Sequence, residues 1–263
     1  MSTQIIIKPS QDEVNCAVAT WLVESIRNVL QGQSTCSIAL SGGATPRRLY
    51  AYLAETKLHS LDWSKVLLFW GDERNVAADH PDSNFRMVKE SWLDHAQAAG
   101  DPRCVPRFFP VPVSPSQPEK AARTYSDTMR RELCAEGFAE DATESIPVLD
   151  IVLLGLGDDC HTASLFPETS ALEVDDDLFV SNYVPKLDAF RLTMTFPVIN
   201  AAKQVAFIVC GASKQAAVEV VWHGPRRRER YPAQCIQPEH GLLLWFLDTA
   251  AVPENRLGDY AAR

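Results

Sequence analysis

The 263-residue chain has no long apolar run, no C-x-x-C cysteine pair and no excess of basic charge. No hydrophobic stretch reaches bilayer-spanning length, which excludes a transmembrane helix. The opening MSTQIIIKPSQDE has three consecutive apolar residues before a lysine and a proline, too few for a signal peptide. The closing Tyr260 to Arg263 makes no peroxisomal tail. Seven cysteines, an odd number, lie scattered, several of them in apolar runs as Cys36 and Cys210 do. That pattern fits reduced, mostly buried thiols in a cytoplasmic protein rather than a disulfide framework. A net charge of −9 argues against a nucleic-acid partner, and no membrane partner is expected. The one basic run, Arg226 to Arg230 around Glu229, stands between Gly224-Pro225 and Tyr231-Pro232. It reads as a solvated loop or as a contributor to anion binding. Internal repeats and low-complexity segments are also missing.

What is present is ordinary globular material: 46% hydrophobic and 22% charged residues, enough for a sizeable core. Short apolar runs mark candidate strands at Ile5–Ile7, Cys36–Leu40, Val66–Trp70, Val148–Leu154, Leu192–Phe196, Val205–Cys210 and Leu242–Leu247. Helix-spaced apolar residues lie between them. Val14, Val18, Trp21, Leu22, Ser25 and Val29 form one such face, Leu49, Tyr52 and Leu53 another, and Val218, Val221 and Trp222 a third. Alternating β and α segments predict an α/β fold, with a mostly parallel sheet covered by helices on both faces. The proline-rich 101–118 reads as a loop with one short extended segment. A single domain over 1–263 is expected, with a small extra sheet near 173–195.

In such a sheet ligands bind beyond the carboxyl ends of the strands. Three strands end in glycine and polar residues. After Leu40 comes Ser41-Gly42-Gly43-Ala44-Thr45-Pro46. The glycines permit close approach to backbone, with Thr45 as helix cap and Pro46 as first helical residue, so free N–H groups would face an anion such as phosphate. It is not a Walker A loop, since G-K-[ST] is missing. A plain strand-to-helix turn would read the same way. After Trp70 come Asp72, Glu73 and Arg74, either a surface ion pair or a carboxylate base beside a guanidinium. His80 in the following loop reads as structural, with Asp82 or Ser83 near the next helix cap. After Leu154 comes Gly155-Leu156-Gly157-Asp158-Asp159-Cys160-His161. His161, placed just before an expected helix start at Thr162–Leu165, is either structural or an acid–base group whose tautomer Asp159 fixes. A dinucleotide loop would need a third glycine, and sequence-adjacent Cys160 and His161 make a poor nucleophile–base pair.

The chain resembles the glucosamine-6-phosphate isomerase/6-phosphogluconolactonase family. The motifs that carry this are "LSGGATPRRLY", "FWGDERNVAADHPDSNFRM", "LLGLGDDCHTASLFP", "RLTMTFPVINAAKQVAFIVCGASK" and "PAQCIQPEHGLLLWFLD", in the family's order from residue 40 to 248. The lactonase branch is favoured, because the deaminases carry an M-D-E-Y-like second motif and a different run after the histidine. The resemblance implies a Rossmann-like sheet of the sugar-phosphate isomerase/CoA transferase-like type. It implies hydrolysis of 6-phospho-D-glucono-1,5-lactone to 6-phospho-D-gluconate, no cofactor or metal, and a monomer or weak homodimer. It implies that Ser41, Gly42, Gly43, Arg191 and Lys214 bind substrate phosphate. Asp72 and Arg74 would act at the sugar end, and His161 would be the catalytic histidine with Asp159 beside it. Alternatives are glucosamine-6-phosphate deamination with Asp72 as base, or a non-catalytic sugar-phosphate-binding regulator. One departure stands out: the family's Asp-Gly-His is Asp159-Cys160-His161 here. A backbone needing positive φ would strain that cysteine by about 1–2 kcal/mol.

Overall fold

A computed structural model of the chain describes residues 2–136, 146–253 and 256; the expectations for the domain's outermost residues, including the 260–263 tail, lie outside these. In chain order the strands and helices are β1 (Ser2–Lys8), α1 (Gln11–Leu30), β2 (Cys36–Leu40), α2 (Ala44–Thr56), β3 (Val66–Trp70), β4 (Asp72–Arg74), α3 (Asn84–Val88), α4 (Asp94–Ala98) and β5 (Arg107–Phe108). They continue with α5 (Pro118–Ala135), β6 (Ile151–Leu154), β7 (Phe179–Val184), β8 (Ala189–Met194), α6 (Phe196–Ala201), β9 (Gln204–Val209), α7 (Gln215–His223) and β10 (Leu242–Asp248). A π-helical turn, Lys89–Leu93, joins α3 to α4.

Seven strands form a sheet in the order β1-β10-β9-β6-β2-β3-β5, every pair parallel. Every residue of β2, β3 and β6 is buried. Alternate side chains of a strand point to opposite faces, so both faces must be covered. That explains why these strands read as unbroken apolar runs. Helix α1 starts where Ser10 caps it, accepting from the Glu13 N–H at 3.3 Å and donating back to the Glu13 carboxylate at 3.1 Å.

At the amino end of β6 the core is polar. The Asp150 carboxylate, fully buried, accepts from the Ser37 N–H at 2.9 Å and the Ser37 hydroxyl at 3.1 Å. Lys203 donates to its other oxygen at 2.8 Å. This knot ties β2 to the start of β9 and delays β6, which begins at Ile151 rather than at the expected Val148.

The small sheet is antiparallel, in the order β4-β8-β7. It takes up the predicted strand at Leu192–Phe196, but shifted: β8 ends at Met194, and Phe196 opens α6. The 101–118 loop carries the short extended piece β5. The arginine run is a loop, yet Arg228 is anchored: its Nε donates to the Leu172 carbonyl at 3.0 Å and its guanidinium lies 5.3 Å from the Phe196 ring centroid. All seven cysteines are free thiols. Among the described residues no helix is long and apolar enough to cross a membrane.

The strand order sets β9, β6, β2 and β3 side by side, so the four loops leaving their carboxyl ends are neighbours. The direction in which the chain winds across the sheet reverses between β6 and β2, the switch point where such sheets hold ligands.

Candidate active site

The loop after β2 is pinned from behind. The Tyr50 hydroxyl on α2 accepts from the Ser41 N–H at 3.0 Å and donates to the Ser41 carbonyl at 2.9 Å. The Ser41 N–H is therefore taken by Tyr50, and Ser41 lines the cleft beside Gly42 and Gly43. A Cβ on Gly42 would overlap the Asn84 side chain, so only glycine lets the two loops close together. Gly43 takes φ 106 and caps α2 without a side chain, so the helix begins at Ala44. Thr45 and Pro46 thus lie inside the first turn rather than at cap and first position. The glycine's left-handed backbone lets the chain enter the helix earlier than a threonine cap would. The opening N–H groups of a helix have no intrahelical partner, and these lie beside the cleft.

After β3, Asp72 to Arg74 form β4. Asp72 is 6% exposed; its carboxylate accepts from the Ser164 hydroxyl at 2.7 Å, and Asn84 donates to its carbonyl at 2.9 Å. Glu73 points the other way and is 1% exposed. It accepts from the N–H groups of Arg74 and Asn84 at 2.7 Å and of Phe85 at 2.8 Å. Burial raises its pKa, and those N–H groups pull it back. It is a carboxylate cap for α3, with Ser83 as the N-cap residue as expected. Arg74 donates to the Asp82 carbonyl at 2.7 Å. Across the small sheet Arg74 sits directly opposite Arg191 of β8. Burial lowers the Arg191 pKa and the Arg74 charge adds to this. The His80 ring accepts from the Asp82 N–H at 3.1 Å, with the Asp82 carboxylate 3.8 Å away, and lies outside the cleft.

The loop after β6 is a tight turn. The Gly157 N–H donates to the His161 carbonyl at 2.8 Å, and the Cys160 N–H to the Gly157 carbonyl at 3.0 Å. Cys160 has φ 65, the left-handed conformation the family's glycine would take freely. Its side chain is 3% exposed, with the sulfur 3.8 Å from the Ala217 carbonyl. His161 Nδ1 lies 2.5 Å from an Asp159 oxygen. That contact fixes the proton on Nδ1 and leaves Nε2 as the basic nitrogen. The imidazole stacks on Phe166 at 4.0 Å between centroids. Burial is the leading cause that brings its pKa down to about 4, with Asp72 working against it, so the ring is neutral at neutral pH. The expected helix at Thr162–Leu165 does not form. Those residues close a turn with a Thr162–Leu165 bridge, Ala163 takes φ 47, and the Ser164 hydroxyl is used to hold Asp72.

These loops line one cleft of about 350 Å³. Ser41, Gly42, Gly43, Asp72, Arg74, His161, Arg191 and Lys214 all face it. Asp159 stands behind His161. Lys214, from the loop after β9, pairs with Asp158 at 2.6 Å. A larger hollow of about 680 Å³ between α2 and α4 adjoins it through Gly43 and Arg74, but holds no acid–base pair like His161–Asp159. The sequence reading missed Phe166, Ser164 and Lys186. Lys186, at the β7–β8 turn, binds the second oxygen of Asp159 and lies 4.8 Å from the Phe166 ring centroid. Among the described residues one cluster, His59, Asp101 and Cys104, has metal-ligand chemistry. It lies in the loops that lead into β3 and β5, away from the cleft, and Arg103 already occupies its carboxylate at 2.8 Å.

A neutral histidine on a carboxylate, facing four cations, suits deprotonation of water beside an anionic substrate. The family model "Glucosamine-6-phosphate isomerases/6-phosphogluconolactonase" matches residues 9–245. A 6-phosphogluconolactonase of Nostoc is 39% identical over 255 residues, covering 97% of this chain and 99% of its own. One of Synechocystis is 44% identical over 224 residues, 84% of each chain. The structure of 6-phosphogluconolactonase from Trypanosoma cruzi superposes with TM-score 0.79 at 29% identity, over 95% of this chain and 97% of that one. A monomeric glucosamine-6-phosphate deaminase shares the fold, at TM-score 0.72 and 19% identity.

Proposed function

The chain belongs to the glucosamine-6-phosphate isomerase/6-phosphogluconolactonase family, and from that premise we propose how its cleft performs the lactonase reaction. The reaction is hydrolysis of 6-phospho-D-glucono-1,5-lactone to 6-phospho-D-gluconate, the second step of the oxidative pentose phosphate pathway. His161 Nε2 takes a proton from water as the water attacks C1. The imidazolium then returns it to the ring oxygen as the ester bond breaks. Asp159 holds the ring and stabilises the imidazolium while it lasts. Arg74 and the loop N–H groups stabilise the oxyanion that forms on the carbonyl oxygen. Ser41, Gly42, Gly43, Arg191 and Lys214 hold the phosphate, so remote binding energy sets C1 against His161. Asp72 orients the sugar end.

One observation carries this reading: the 2.5 Å Asp159–His161 contact, in a cleft whose other charged groups are mainly cationic. In the deaminase reading Asp72 is the base, but here its carboxylate is buried and tied to the Ser164 hydroxyl. We read the chain as a single-domain enzyme acting as a monomer or weak homodimer. Seven free thiols support a cytoplasmic setting.

The test is hydrolysis of freshly made 6-phosphogluconolactone, with spontaneous opening subtracted, for wild type and His161→Ala. A loss of about 100-fold or more is expected, in the range of acid–base catalysis. Near wild-type turnover in the variant would remove His161 from the mechanism.

A further inference from the structure

Asp159 has two partners, and only one belongs to the mechanism above. One oxygen faces His161 Nδ1 at 2.5 Å; the other takes the ammonium of Lys186. Lys186 arrives from a distant element, the Pro185–Leu187 turn of the β7–β8 hairpin, which Asp188 closes at φ 45. The same hairpin delivers Arg191 to the cleft. Phe166 joins the two groups as well, stacked on the imidazole at 4.0 Å and 4.8 Å from the ammonium.

We propose that Lys186 is a positioning residue that divides the Asp159 carboxylate with His161 and so keeps the imidazole in its neutral, proton-accepting form. The inference rests on the reading of His161 as the base. A carboxylate left wholly to the imidazole would orient it but would also stabilise the imidazolium, making His161 protonated and useless over part of the working range. An ammonium on the second oxygen keeps the orientation and cancels much of the charge. The remaining charged groups around His161 are Asp72 and Asp158, which favour the imidazolium, and Lys214 and Arg74, which oppose it. They come from other loops, and a change at Lys186 leaves their positions intact. Lys186 is half exposed, so its replacement does not open the core.

The test compares wild type, Lys186→Met and Lys186→Arg by two readouts. The first is the titration midpoint of the His161 ring, followed by NMR and assigned by its disappearance in His161→Ala. The second is the acid limb of kcat/KM against pH for the lactone. With Lys186→Met both move to higher pH by about one unit, the effect of losing one partly solvated charge at this range. Lys186→Arg returns both towards wild type. An unmoved midpoint in Lys186→Met, whatever happens to kcat, overturns the proposal and leaves Lys186 a merely structural contact. If the NMR midpoint moves and the kinetic limb does not, the coupling stands and His161 falls as the base.

Discussion

Gly157→Ala isolates the placement of the catalytic ring from everything else in the cleft. Gly157 is not among the glycines with a left-handed backbone, so alanine meets no left-handed strain there. The turn bonds from its N–H and carbonyl, at 2.8 and 3.0 Å, survive. What changes is space. A Cβ at this position overlaps Nδ1 and Cε1 of His161 and comes within 2.8 Å of an Asp159 oxygen. The alanine methyl and the imidazole cannot both stay, and the imidazole, held by one hydrogen bond and a stacking contact, is the softer of the two. A displacement of about 1 Å at a reacting group costs on the order of 100-fold. The residues proposed to hold the phosphate lie on other elements. The expected result is therefore kcat down about 100-fold with KM changed by less than about threefold, the pattern of an interaction lost only in the transition state. Unfolding free energy should stay within about 1 kcal/mol of wild type. Combined with His161→Ala, the substitution should add almost nothing, because both act through one group. Wild-type kcat in Gly157→Ala, or a rise in KM alone, would refute the reasoning.

Further results are expected from the same geometry. In urea unfolding, Cys160→Ala keeps the left-handed strain and loses the buried sulfur, so it should fall by about 1 kcal/mol. Cys160→Gly should stay within about 1 kcal/mol of wild type, since about 1–2 kcal/mol of relieved strain offsets lost burial and glycine's extra entropy; a larger fall would mean the strain is absent. Arg191→Met should raise KM at least about tenfold with a smaller change in kcat, the loss of one charge-assisted contact, and an unchanged KM would move the phosphate elsewhere. In the free enzyme kcat/KM should fall as pH drops, with a midpoint near the His161 value of about 4, because protonation removes the lone pair on Nε2. The same shift bears on stability: the unfolded histidine takes its proton near its ordinary 6.5 and the folded one near 4, so stability falls as pH drops between those values. His161→Ala should flatten that slope in urea titrations across the window.

The sheet was legible where burial is total. Cys36–Leu40 and Val66–Trp70 match their strands residue for residue, since a strand covered on both faces has no reason to alternate. The polar strand was not legible. Asp72–Arg74 reads as charge at a strand end, and only its pairing with β8 makes it β-structure. Thr162–Leu165 misled for a related reason: it looks like a capped helix start, but its serine is spent on Asp72, which lies 92 positions away in sequence. Glu73 is the sharpest omission. Its burial beneath α3 depends on helix N–H groups that no local pattern connects to it. Lys186 could have been suspected only from a lysine inside a proline turn, which by itself points to solvent. The site's backbone was thus readable from glycines and strand ends, while the side-chain partnerships between loops were not.

Those partnerships also explain how a chain of net charge −9 receives a phosphorylated sugar. Like charges directly opposite in an antiparallel pair are destabilising, and Arg74 and Arg191 stand in that relation. Bulk charge does not relieve them, because solvent screens it within about 10 Å. What relieves them locally is Asp72, two positions from Arg74 on the same strand and buried. Asp72 is tied to Ser164 and Asn84, so it tempers the arginines without closing an ion pair over them. Lys214 is likewise held by Asp158, on the rim. The cations are therefore restrained by carboxylates that keep them in place, and in the proposed binding mode the substrate's phosphate completes the neutralisation those carboxylates leave unfinished. The antiparallel sheet has its functional meaning here. Beyond the apolar side chains it gives the core, such as Phe179, Leu192 and Met194, it turns β4 and β8 back over the strand ends and brings two arginines to the same cleft.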